Sequence, residues 1–178
     1  LQKRKIKQPY FLHKDGAVIV KIQSEDLQDY PMKDSVDAVY IPSLSVDEHK
    51  SFAKNKVTIL TETPGIEGTL HVMDIEEIQP YCFSSVVKVQ DGDPTVWKKL
   101  LNISTECILF QPTASFVHQG RYFFQWLLSN EITIPVILVK NYVGSQEDIL
   151  IQSSAEIGAL LVDGFGEGVM IHTPLGAQ

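Results

Sequence analysis

The chain has 178 residues, 44% of them hydrophobic and 21% charged, with a net charge of −7. That length suits one domain able to bury roughly 70% of its unfolded surface. The acidic balance argues against a nucleic-acid partner, which needs a basic field, and no apolar run approaches the roughly 18 residues of a membrane span.

The chain opens at Leu1 in mid-composition, without a targeting pattern, which reads as a piece of a longer polypeptide. Residues 1–9 read as a linker whose basic cluster (Lys3, Arg4, Lys5, Lys7) is solvated, with a contact patch as the alternative, followed by a single domain over 10–178. Tyr10–His13 and Ala17–Ile22 flank Asp15-Gly16 and predict a hairpin on an Asp-Gly turn. Strand runs follow at Asp37–Ile41 and Val57–Leu60, with a weaker helical stretch at Ser43–Phe52 between them. Residues 63–68 (Thr-Pro-Gly-Ile-Glu-Gly) read as a loop and Asp74–Ile78 as a second weak helix. After the strand Ser85–Val89, Asp93-Pro94 places a capping residue before a proline at the first helical position, with Trp97, Leu100 and Leu101 repeating at helical spacing.

The strand Cys107–Phe110 precedes the clearest helix. Phe116, Gly120, Phe123, Phe124, Leu127 and Leu128 fall on one face. Gly120 costs about 1 kcal/mol against alanine there, which close approach to the sheet would offset. Pro135–Val139 is the next strand. Ser153 and Glu156 then form a capping box for a helix through Ile157, Leu160 and Leu161, and Gly168–Ile171 is the last strand. The seven strand runs are nearly continuous in apolar residues, as in a parallel sheet buried on both faces. Their alternation with helices predicts an α/β fold, barrel-like or open, with helices outside.

The chemistry is sparse. Gly158, Gly164, Gly166 and Gly168 crowd the stretch around Asp163 and Glu167. A phosphate loop needs glycines between a strand and the helix it enters; here a helix precedes and a strand follows. Asp163, Gly164, Phe165, Gly166, Glu167 and Gly168 therefore read as a structural turn, with Gly164 the left-handed cap and Phe165 packed inward. His13, His49, His71, His118 and His172 form no metal spacing and read as surface or packing residues. Glu76-Glu77 and the Asp91/Asp93 pair lack the geometry of a dyad, and Ser104, Ser115 and Ser129 lack a nucleophile-elbow context. Cys82 and Cys107 lack cluster spacing and imply no disulfide framework, so a reducing compartment is the default. No catalytic, cofactor-binding or metal-binding residue is assigned.

Residues 155–171, A-E-I-G-A-L-L-V-D-G-F-G-E-G-V-M-I, resemble the end of the insertion domain of long-form 4-hydroxy-3-methylbut-2-enyl diphosphate synthases, whose pattern is close to A-G-x-L-L-x-D-G-L-G-D-G-V. Phe165 and Glu167 depart mildly from its leucine and aspartate. Leu12–Val20 resembles the domain's L-H-x-D-G-S-V opening. Phe124–Asn130 with Ile134–Ile137 resembles its F-x-F-L-S-x-N…F-P-V-I, so matches in the same order bracket most of the chain.

The resemblance implies a TIM-barrel-related insertion domain, complete or not, set between a substrate-binding barrel and an iron–sulfur domain. Such an enzyme reductively opens 2-C-methyl-D-erythritol 2,4-cyclodiphosphate in non-mevalonate isoprenoid biosynthesis. Its 4Fe–4S cluster sits on three cysteines and a glutamate, and reduced ferredoxin or flavodoxin supplies the electrons. The implied location is the bacterial cytoplasm, or the plastid stroma for a plant-like source. None of the family's catalytic residues maps onto this sequence, and its C-P-S-C-G-like motif would lie beyond Gln178. The resemblance thus implies a scaffold, inactive alone and partnered by the parent's other two domains. The alternative is a free-standing α/β module or small enzyme that binds a phosphorylated ligand.

Overall fold

The computed structural model describes residues 4–7, 9–23, 36–52, 57–79, 86–90 and 92–172. Lys3, Cys82, Ser85 and Asp91 lie outside them. The strands are β1 (Ala17–Lys21), β2 (Ala38–Tyr40), β3 (Thr58–Thr61), β4 (Thr69–Asp74), β5 (Val86–Val89), β6 (Cys107–Phe110), β7 (Val136–Asn141) and β8 (Gly168–His172). Each pairs in parallel with the next, and β8 returns to β1 through Ala17↔Gly168 and Val18↔Val169. The barrel is closed and TIM-barrel-like, with helices α1 (Val46–Phe52), α2 (Pro94–Trp97), α3 (Phe116–Ser129) and α4 (Gln146–Val162), and a 3₁₀ turn at Lys98–Asn102.

Alternate strand residues divide the core. Ile19, Leu60, Val72, Leu109, Ile137 and Met170 fill the interior, while Val87, Val89, Ile108, Phe110 and Leu138 point outward under the helices. Phe123 of α3 stacks on Phe110 at 4.5 Å, and Trp97 meets Phe123 edge-on at 4.9 Å. Each fully buried aromatic stabilises by roughly 1.5–3 kcal/mol, so α3 is held by this face and its lack of a side-chain N-cap bond is tolerated. At Asp93 the expected cap is present, its carboxylate accepting from the Thr95 N–H at 2.8 Å.

Several expectations need correction. The eighth strand, β4, was not legible: Thr-Leu-His-Val-Met-Asp is mostly half-buried and lacks a continuous apolar run. The helix expected at Asp74–Ile78 is instead the end of β4 and a turn over 75–77. There is no hairpin at Asp15-Gly16. Tyr10–Asp15 is a run of turns, and β1 takes β2 and β8 as parallel partners. Phe11 and Leu12 join the interior core, plugging the N-terminal end of the barrel. The capping box of α4 is Ser145 with Asp148, eight residues before the expected one; Ser153 lies inside the helix. Gly120 admits Leu160 of α4 rather than the sheet, since a Cβ there would stand 2.6 Å from Leu160 Cδ1. Leu101 is half exposed, because the chain tightens to 3₁₀ after Trp97 and turns it off the buried face.

Residues 62–68 carry β3 to β4 without a helix. Buried Ile66 packs with Ile41, Leu44 and Ile59, covering the outer face that a helix would otherwise cover.

Candidate functional site

The glycine stretch lies at the N-terminal end of the barrel. Asp163 caps α4 and accepts from Arg121 Nε of α3 at 2.7 Å. Gly164 has φ 77°, and the N–H groups of Gly164 and Phe165 return to Leu161 and Leu160, both at 2.9 Å. Phe165 stacks on Phe124 at 4.8 Å. Gly166 has φ 93° and lies against Leu138. Glu167 ties the strand ends: its N–H donates to Val136 O at 2.8 Å and its carbonyl accepts from Ala17 N at 2.9 Å. A Cβ on Gly168 would stand 2.7 Å from Ala17 O, so the β1–β8 seam has no room for one.

Glu167 also binds the N-terminal segment. Its Oε2 accepts from Val136 N at 2.7 Å and from Arg4 Nη2 at 2.9 Å. Arg4 Nη2 also reaches Ile134 O, and the guanidinium lies 5.1 Å over the Phe124 ring. Arg4 is thus not solvated, as a linker cation would be: its side chain is only 6% exposed. Burial lowers its pKa, and Glu167 opposes that shift. Lys7 N donates to Thr133 O, so the segment follows the barrel floor.

At the C-terminal end, the residues facing the interior change from apolar to polar. Lys21 ends β1, Tyr40 ends β2, Glu62 follows β3, Asp74 ends β4, Lys88 lies in β5 and His172 ends β8. Tyr40 donates to Glu62 Oε1 at 2.5 Å, and Lys88 Nζ donates to the same oxygen at 2.9 Å, with Asp74 at 3.9 Å. Burial alone would raise the Glu62 pKa, but the bonds from Tyr40 and Lys88 and the charges of Lys88 and Lys21 bring it below the usual carboxylate range. Burial, then Glu62, pushes the Tyr40 phenol up. Lys21 pairs in register with Tyr40 and lies 5.9 Å over its ring. Burial, then Lys21, lowers the His172 pKa. Beside these groups, Gln90, Gln111, Pro112, Thr113, Lys140 and Asn141 line a pocket of about 190 Å³. Among the described residues no three His, Cys, Asp or Glu side chains gather as a metal site requires.

Of Lys21, Tyr40, Glu62, Asp74, Lys88 and His172, only His172 is singled out by the sequence as a candidate, and there it reads as a surface or packing residue. Their one signal is parity: each occupies an interior-facing position at or near a strand end, which reads like an ordinary solvated strand terminus. His172 stands among them, whereas His13 lies far away beside Asp15 at the barrel floor. Cys107 is fully buried in the barrel interior.

Comparison with known proteins bears on this barrel directly. A "4-hydroxy-3-methylbut-2-en-1-yl diphosphate synthase (flavodoxin)" of Protochlamydia amoebophila is 36% identical over 89 residues, covering 50% of this chain and 14% of the relative. The chloroplastic "(ferredoxin)" enzyme of Arabidopsis thaliana is 26% identical over 207 aligned positions, covering 92% of this chain and 28% of the relative. This chain is similar to part of these synthases. A third, flavodoxin-type relative from Chlamydia caviae is 29% identical over 79 residues, covering 44% of this chain. The matched regions span 13–28% of these three relatives' own lengths. No protein-family model matches the chain.

Proposed function

We propose that this chain is the insertion domain of a long-form 4-hydroxy-3-methylbut-2-enyl diphosphate synthase, a scaffold without turnover of its own. The observation that carries the reading is the coverage of the plant relative: the similarity runs through 92% of this chain but occupies only 28% of that enzyme. A closed barrel with its own core suits a unit embedded in a longer polypeptide. The parent would reduce the cyclic diphosphate with its 4Fe–4S cluster, fed by flavodoxin or ferredoxin, and this barrel would space and orient the flanking domains.

Among the described residues the one cysteine does not fit the cluster. Cys107 lies fully buried in the barrel interior, where burial pushes its thiol pKa up, whereas cluster ligands are thiolates. The Asp163–Gly168 stretch acts as a joint between α4 and β8. The docked Arg4 supports the spacer role, because it holds the incoming chain against the floor of the barrel.

The test is anaerobic reconstitution of the chain with iron and sulfide, followed by an assay with the cyclic diphosphate and reduced flavodoxin. No charge-transfer band and no product are expected. In the full parent enzyme, deleting the segment should abolish turnover while leaving the cluster assembled. A stoichiometric cluster or product formation by the chain alone would overturn the reading.

A further inference from the structure

The helix α4 turns Ile157 and Leu160 toward the barrel, with Ile149 beside them, and turns a second apolar face away from it. On that second face Leu150, Ile151, Leu161 and Val162 are 65%, 61%, 44% and 88% exposed. Between the two pairs lie Ser154, Ala155 and Gly158, spaced along the same side of the helix. Glu156, the one charged residue from 150 to 162, is half-buried and turns the other way, toward Lys140 of β7 at 3.6 Å. Among the described residues nothing requires Gly158: a Cβ there would meet no atom within 4 Å, whereas Gly120 admits Leu160. Glycine weakens a helix interior, so its place on this face calls for close approach from outside the chain.

We propose that this face joins two copies of the chain, their α4 helices antiparallel across a two-fold axis beside Glu156. The face is symmetric about that point. Leu150 and Val162 lie six residues to either side of it, Ile151 and Leu161 five, and Ser154 and Gly158 two. A two-fold interface is self-complementary, so Leu150 of one copy meets Val162 of the other, Ile151 meets Leu161, and Ser154 meets Gly158. Small residues at the centre let the helices approach, and large apolar ones interlock at both ends. The four large side chains expose roughly 500 Å² per copy, so a pair covers about 1,000 Å², the lower bound of a specific interface. Each copy carries a net charge of −7, and this face keeps charge out of the contact over three turns. The symmetry selects the occupant: a second copy must match it, whereas an unrelated surface need not. Pairing is independent of the scaffold reading, since a scaffold or a free-standing module could associate in this way.

The experiment is sedimentation equilibrium of the 178-residue chain from low micromolar to submillimolar concentration. A monomer–dimer equilibrium with a Kd of about 10 μM is expected for so small an interface. Ile151→Glu and Val162→Glu stand at exposed positions, so circular dichroism should show an unchanged fold. Each should weaken pairing at least about tenfold, because the two-fold axis buries two unpaired carboxylates at once. Gly158→Leu should also weaken it, although no atom of the chain obstructs that side chain. Val46→Glu, at an exposed apolar position on α1, should change nothing. The register is read by cross-linking: Ser154→Cys mixed with Gly158→Cys should form an intermolecular disulfide faster than either variant alone. A monomer at every concentration, a dimer indifferent to Ile151→Glu and Val162→Glu, or no gain in cross-linking from the mixture would overturn the proposal. If the chain stays monomeric while Val162→Glu lowers the melting temperature of the full parent enzyme, a flanking domain covers this face instead and the proposal fails. The reconstitution and turnover assay tests the scaffold reading separately, so the two can fail independently.

Discussion

The two ends of this barrel are built on opposite principles. At the N-terminal end Phe11 and Leu12 plug the interior, Phe165 stacks on Phe124, and a buried cation, Arg4, is matched by Glu167. At the C-terminal end the interior stays polar and partly open, with Tyr40, Glu62, Asp74 and Lys88 in a network and the charge of Lys21 acting on Glu62 beside it. Parallel strands set this asymmetry, since all their C-terminal ends share one rim and the other rim is left for stability. A run of glycines is therefore weak evidence for a ligand site until the end on which it falls is known.

The largest expected effect at the floor is that of Phe165→Ala. Removing a buried stacked ring should cost about 3 kcal/mol in urea unfolding; a cost under about 1 kcal/mol would break the claim that this end holds the fold together. Arg4→Met should cost about 2 kcal/mol by the same measurement, below the 3–5 kcal/mol typical of a fully buried pair because the Glu167 side chain is 25% exposed. The double variant Arg4→Met/Glu167→Gln should recover part of that loss, which separates a stranded charge from lost packing.

Gly164→Val should cost about 1 kcal/mol or more, and Gly164→Asn less, because asparagine tolerates positive φ better than a β-branched residue. No atom would touch a Cβ at Gly164, so the penalty there is conformational alone.

The mouth should respond weakly to mutation but visibly to pH. The folded pKa of His172 is depressed, so its contribution to stability is complete above the unfolded value of about 6.5 and is lost as pH falls through the folded value. Glu62, also depressed, adds a second loss below its unfolded value of about 4.3. Melting temperature should accordingly fall from pH 7 to pH 5, and His172→Gln should flatten that first step. The smallest effect is expected for Lys21→Met, within about 0.5 kcal/mol of the wild type. A destabilisation as large as that of Arg4→Met would mean that the mouth, like the floor, is structural.

What the sequence determined by itself was local. Continuous apolar runs marked seven of the eight strands, the 3.6-residue period marked α3, and Gly164 marked the end of α4. Each rests on neighbours that satisfy one another's backbone hydrogen bonds or share a face. β4 was lost because its residues are half-buried and its apolar pattern is broken by His71 and Asp74. Only the closed barrel decided that Arg4 meets Glu167, that Gly120 admits Leu160, and that Lys21, Tyr40 and His172 share one rim. These partners lie far apart in the chain, so no local period records them; they meet because β8 closes on β1 in the register Ala17↔Gly168, which aligns the polar strand ends around a common mouth.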